Sequence, residues 1–161
     1  CLLNNMPKIS NVLSHLKKEY PNLTFKQGDL FAWSPKNATV TYTLEYTDET
    51  HAIWALIHEV AHASLAHKHY KNDIDLLRHE VSAWDTAKRI ANSLDITIQD
   101  DHIEDCLDTY RDWLHKRATC PHCSVVSLQQ DDGTYSCFNC QTVWKVPASP
   151  LCRISRRVVK I

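Results

Sequence analysis

The chain has 161 residues, a formal net charge of −1, 43% hydrophobic residues and seven cysteines. That length suits one core with a small appended module, and a charge near zero removes any global pull toward nucleic acid. No apolar run reaches the length of a membrane span, so no membrane partner is expected. Seven cysteines is an odd count, and unpaired thiols fit a reducing, cytoplasmic setting better than an oxidising one. The first residue is Cys1 rather than Met, which suggests a removed N-terminus, and no signal peptide is visible.

Residues 9–20 predict an amphipathic helix with Ile9, Val12, Leu13 and Leu16 as its apolar stripe and Pro21 as its stop. Phe25, Leu30, Phe31 and Trp33, then residues 38–46, predict strands separated by Ser34-Pro35-Lys36-Asn37. The alternation of Val40, Tyr42, Leu44 and Tyr46 gives that second stretch one buried and one wetter face.

No Gly or Pro interrupts residues 47–94. Asp48, Glu49 and Thr50 suit a helix start, and Ile53, Leu56, Ile57 and Val60 follow at helical spacing with alanines between them. This helix carries His58-Glu59-Val60-Ala61-His62. Residues four apart share a helix face, so the two imidazoles can grip one metal ion, with Glu59 beside it as a proton acceptor. The plain alternative is an amphipathic helix with two surface histidines.

A tetrahedral zinc poised for catalysis takes a third protein ligand and leaves one position for water. Residues 78–90 supply adjacent candidates, His79 and Glu80, on a second helix marked by Val81, Trp84 and Ile90 with Ala83 and Ala87. Glu80 is expected in the first turn of that helix, pointing at His58 and His62. A carboxylate there also suits a helix N-terminus for purely electrostatic reasons. Between the two candidates Glu80 is preferred.

Ile103, Leu107, Tyr110 and Leu114 predict a further helix that runs into Cys120-Pro121-His122-Cys123. After thirteen intervening residues, 124–136, comes Cys137-Phe138-Asn139-Cys140. That spacing suits a zinc ribbon, two knuckles on one tetrahedral ion joined by a hairpin. Val125, Val126 and Leu128 read as one strand, Asp131-Asp132-Gly133 as the turn and residues 134–136 as the return, with residues 142–146 as a third. Two disulfides are the alternative; four thiolates on one structural zinc are preferred, with Cys1, Cys106 and Cys152 left outside that set. Arg153, Arg156, Arg157 and Lys160 crowd the last nine residues, a pattern that suits a nucleic-acid contact but equally a solvated strand or frayed end.

The pattern His58-Glu59-x-x-His62 followed by Glu80-x-x-Ala83-Trp84-x-x-Ala87 resembles the ImmA/IrrE-like metallopeptidases, zincins in which a glutamate on the following helix completes the metal site. That family usually has Asn or Asp four residues after the glutamate, where this chain has Trp84. SprT-like proteases, with a histidine third ligand and often a zinc ribbon, are the second resemblance; there His79 takes the place of Glu80, but Glu80 itself stands where those proteins commonly have Gly. Either resemblance implies an α+β fold, a zincin-like metallopeptidase domain of helices on a small mixed sheet, here residues 1–117. A β-rich zinc ribbon with a basic tail follows as residues 118–161. It also implies an edge strand open to an extended peptide. With Glu80 preferred, two zinc ions are expected, one catalytic on His58, His62 and Glu80, one structural on Cys120, Cys123, Cys137 and Cys140.

The function expected is zinc-dependent endopeptidase action on an intracellular protein, a regulator or a nucleic-acid-bound protein, with Glu59 as general base. His67, His69, Tyr70 and His79 are candidates to stabilise the oxyanion, although His67 and His69 read by default as surface residues beyond the helix. The competing expectation is a catalytically idle zinc-binding module that contacts protein or nucleic acid through the ribbon.

Overall fold

A computed structural model describes residues 7–147 and 154–160, with the side chain of Lys160 left aside. Cys1, Cys152 and Arg153 lie outside the described residues. The chain is mixed α+β, with helices α1 (Ile9–Glu19), α2 (Glu49–Ser64), α3 (Asp73–Ser93) and α4 (Asp100–Ala118). The strands are β1 (Thr24–Gln27), β2 (Ala32–Ser34), β3 (Thr39–Tyr42), β4 (Tyr135–Ser136), β5 (Val143–Lys145) and β6 (Arg157–Lys160). Two compact units form, and they do not follow a single cut in the chain: residues 7–69 and 79–103 make one, residues 70–78, 104–147 and 154–160 the other.

In the first unit the sheet has order β1-β3-β2. β1 runs parallel to β3, pairing Phe25 with Val40, and β2 runs antiparallel to it, pairing Trp33 with Val40. Val40 is fully buried in this central strand, while β2 is left as an edge next to α2. The expected strand over 38–46 stops at Tyr42. Beyond it Leu44 and Tyr46 are exposed and Thr43 is buried instead, its hydroxyl accepting from the Glu45 N–H. The alternation therefore breaks where a side chain turns back on the backbone.

Helix α2 begins where expected. Asp48 caps it, its carboxylate accepting the His51 N–H at 2.8 Å, and Glu49 in the first turn also accepts the Ile9 N–H that opens α1. Ala52, Ile53, Trp54, Leu56, Ile57, Val60 and Ala61 are buried, so this helix is enclosed on most sides rather than amphipathic. Helix α3 corrects the sequence reading. It starts at Asp73, because Asn72 caps it by accepting the Asp75 N–H at 2.9 Å. Glu80 therefore sits two turns inside the helix and not in its first turn, so the helix dipole does not account for it.

The second unit has an antiparallel sheet of order β4-β5-β6. Tyr135, Trp144, Cys120, Cys137 and Ala118 form its buried centre, and Trp144 donates its indole N–H to the Arg117 carbonyl at 2.9 Å. Val125, Val126 and Leu128 do not make the strand expected of them. Only isolated bridges, Thr119 with Val126 and Gln129 with Tyr135, tie this stretch down. The third strand appears as β5, and the basic tail adds β6 on its far side, so the tail is a solvated strand.

Candidate metal centres

Helix periodicity puts His58 and His62 on one face of α2, and α3 brings Glu80 to meet them. His62 Nε2 lies 3.0 Å from His58 Nε2, and the Glu80 carboxylate oxygens lie 3.2 Å from His58 Nε2 and 3.5 Å from His62 Nε2. A tetrahedral zinc with bonds near 2.0–2.1 Å spaces its ligand atoms about 3.4 Å apart. The triangle fits such an ion, and these three side chains are positioned to bind one. Two imidazole nitrogens converging on each other and on a carboxylate is costly for bare lone pairs and natural around a cation. His58 and Glu80 are buried and His62 half-buried.

The electrostatics match. Burial raises the Glu80 carboxyl, but hydrogen bonds and charge from His58 and His62 outweigh it and hold the group down at about 2. Glu59 lies outside the ligand group. Burial pushes its carboxyl up, partly offset by His58 and His62 and by the Trp33 backbone. The two carboxyls are thus set apart, Glu80 held down by the histidines and Glu59 pushed up by burial.

The other candidates fall in different places. His79 is not in the ligand group; its ring stacks on His67 at 4.2 Å. Both ring nitrogens of His67 are engaged, Nδ1 at 2.8 Å from His62 Nδ1 and Nε2 at 3.3 Å from Ser82 Oγ, which leaves neither for a substrate. Burial, then His62 and His79, hold the His67 pKa down at about 4, so the ring is neutral near pH 7. His69 is exposed, and Tyr70 belongs to the second unit. Trp84, which is 4% exposed, stacks on His58 with centroids 4.1 Å apart. His58 Nδ1 has no hydrogen-bond partner among the described residues.

Sequence reading missed what holds His67. Ala66 takes a left-handed conformation, φ 53°. The Ala66 N–H then donates to Ala63 O at 3.0 Å and the His67 N–H to His62 O at 3.1 Å. This is a Schellman turn, which lays the second residue past the cap over the third residue before it. The usual signal is a glycine, and this chain has alanine there. Trp33 of β2 closes the turn, its indole N–H donating to His67 O at 2.8 Å.

In the second unit, Cys120, Cys123, Cys137 and Cys140 gather their sulfurs within 4.8 Å of one another. Cys120 Sγ lies 3.6 Å from Cys140 Sγ and Cys123 Sγ 3.4 Å from Cys137 Sγ. Disulfides need about 2.05 Å, whereas four sulfurs on one zinc stand about 3.8 Å apart. These cysteines are thiols placed to bind a metal ion. The two knuckles share one backbone design: Ser124 N–H donates to Cys120 O and Gln141 N–H to Cys137 O, each at 3.0 Å, with Ser124 and Gln141 both left-handed. Hydrogen bonds from Thr142 hold the Cys140 thiol down at about 5. Hydrogen bonds from Val125 and Asn139 favour the Cys123 thiolate too, but burial, Cys137 and Cys140 push it up, to about 11. Four thiolates this close need a cation between them.

No protein-family model, no curated protein and no solved structure matches the chain. No helix among the described residues is long and apolar enough to cross a membrane.

Proposed function

We propose that the chain is a zinc-dependent endopeptidase of zincin type, related in design to the ImmA/IrrE-like enzymes, with a structural zinc in its ribbon. One observation carries this reading: three ligands of mixed type, His58, His62 and Glu80, converge with a raised carboxylate, Glu59, beside them. Three protein ligands leave a tetrahedral ion one open position, whereas the four cysteines close theirs. Zinc held by the first set supplies Lewis acidity, acidifying a water and polarising the scissile carbonyl.

Glu59 then acts twice. It takes one proton from the attacking water as the oxygen bonds to the carbonyl carbon, and delivers it to the amine nitrogen as the C–N bond breaks. His58, His62 and Glu80 keep their positions throughout. As an edge strand of its sheet, β2 suits an extended peptide, bound by main-chain pairing with little sequence demand. Reduced thiols suit the cytoplasm.

Elemental analysis should find two zinc ions per chain, one of them lost in Glu80→Ala. Glu59→Gln should keep both and lose about 10²–10⁴-fold in cleavage of an unfolded protein substrate. Phe138 and Leu128, 75% and 70% exposed on the ribbon, favour a second reading, an idle zinc module that binds protein or nucleic acid there. Full zinc loading without cleavage of any substrate would favour it over the peptidase reading.

A further inference from the structure

His67 lies outside the ligand set yet touches it, and a chain of four hydrogen-bonding groups fixes what it does there. The direction of the chain is set at its far end by a backbone carbonyl, which can only accept. Ser82 Oγ is 3.0 Å from the His79 carbonyl oxygen, so the hydroxyl proton points that way. The same oxygen then accepts from His67 Nε2, 3.3 Å away, which places the His67 proton on Nε2. A neutral imidazole carries one proton, so His67 Nδ1 bears a lone pair. His62 Nδ1, 2.8 Å from it, must donate. His62 Nε2 is thereby left with its lone pair, and that atom is the one turned toward His58 and Glu80.

We propose that His67 is a positioning residue that fixes His62 in the tautomer and ring orientation needed to bind a metal ion through Nε2. The inference rests on reading His58, His62 and Glu80 as a metal site. Metal-binding histidines elsewhere use a carboxylate or carbonyl for this purpose; here a second, neutral histidine does it. His67 is itself held on three sides: the left-handed turn at Ala66 brings it back over the helix end, Trp33 binds its carbonyl, and His79 stacks on its ring. A ring so confined loses little entropy in holding His62, which is why the contact orients rather than merely touches.

The test is zinc affinity of the full chain by chelator competition, with the cysteine site loaded throughout, for His67→Ala, His67→Asn and Ser82→Ala. Loss of such a partner typically lowers metal affinity about 10–100-fold, and His67→Ala should fall in that range. The amide oxygen of His67→Asn lies where Nδ1 does and can accept from His62, so this variant should recover most of the affinity. Ser82→Ala frees the His67 tautomer and should lose less than His67→Ala. Long-range 1H–15N spectra of the wild type, which need no variant to fold, should show His62 protonated at Nδ1 and His67 protonated at Nε2. Equal affinity in wild type and His67→Ala, or a proton on His67 Nδ1, overturns the proposal while the metal site stands. A wild type that binds only the ion held by cysteines overturns the metal reading and this proposal together.

Discussion

Asp73 is the residue whose removal should damage the second unit most. Its carboxylate receives the Arg117 Nε–H at 2.6 Å and an Arg117 Nη2–H at 3.1 Å, and Tyr135 donates its hydroxyl to it as well. Asp73 is 3% exposed and Arg117 2%, so water replaces none of these contacts. Arg117 also donates to the Pro147 carbonyl and lies over the Trp113 ring at 4.2 Å. Asp73→Ala leaves a guanidinium buried without its counter-charge, a change that costs about 3–5 kcal/mol. For a domain of ordinary stability, about 5–15 kcal/mol, that is enough to unfold the unit in a fraction of molecules. Asp75 is the control: it pairs with Arg78 at 3.3 Å, but the arginine side chain is 75% exposed, and exposed pairs contribute about 0–1 kcal/mol. Urea unfolding of zinc-loaded protein, followed through Trp113 and Trp144 fluorescence, measures both variants. A double change, Asp73→Leu with Arg117→Met, removes both charges and should recover most of the loss. An Asp73→Ala protein no less stable than Asp75→Ala would refute the argument, as would a double variant as damaged as the single one.

Other outcomes follow from single contacts. Ala66→Gly relieves an alanine held left-handed, a strain of about 1–2 kcal/mol, offset by the extra freedom of glycine in the unfolded chain, about 0.4–1 kcal/mol; thermal melting should show a small net gain. Burial and Asp73 raise the Tyr135 phenol above its ordinary 10.0. The folded state therefore resists ionisation, so its stability is intact below pH 10 and falls above it as the unfolded chain ionises; Tyr135→Phe should flatten that fall in an alkaline denaturation series. Stripping the four cysteines of metal should unfold the ribbon, because the free energy of holding the ion is part of the free energy of folding and the released sulfurs take up protons instead. Circular dichroism during titration with a thiophilic chelator checks this.

The legible part of the molecule was the part whose chemistry is local. The helix at 49–64 follows from Asp48 and the spacing of Ile53, Leu56, Ile57 and Val60, and the cysteine knuckles follow from spacing alone. Glu80 was placed beside His58 and His62 for the wrong local reason. Its helix starts at Asp73 because Asn72 caps it, a cap readable in the sequence but overshadowed by the motif-bearing segment farther on. The strand end at Tyr42 was illegible because the Thr43 hydroxyl turns back on the Glu45 N–H just beyond it, and the Val125–Leu128 stretch has strand composition but makes only isolated bridges. The Asp73–Arg117–Tyr135 network joins residues 44 and 62 apart, which no pattern along the chain announces.

The two histidines of the first centre are held in different ways, and Trp84 is the reason. His62 has a hydrogen-bonded partner at Nδ1, whereas His58 Nδ1 has none, and the flat face of Trp84 lies against its ring instead. A residue four places after Glu80 sits one helical turn on, on the same face, where a short polar side chain could reach a ligand ring. An indole there cannot accept a hydrogen bond, but it excludes water and fixes the ring plane by contact over a wide area. Orientation of His58 thus rests on packing and that of His62 on hydrogen bonding. Trp84→Phe should leave metal affinity nearly unchanged, since an aromatic face remains. Trp84→Ala should lose affinity and about 3–5 kcal/mol of stability together, because here the wall of the metal site and the core of the helix pair are one side chain. Calorimetric zinc titration beside thermal melting separates the two effects. If Trp84→Ala binds zinc as wild type does, the indole is core alone and His58 is oriented by its buried backbone.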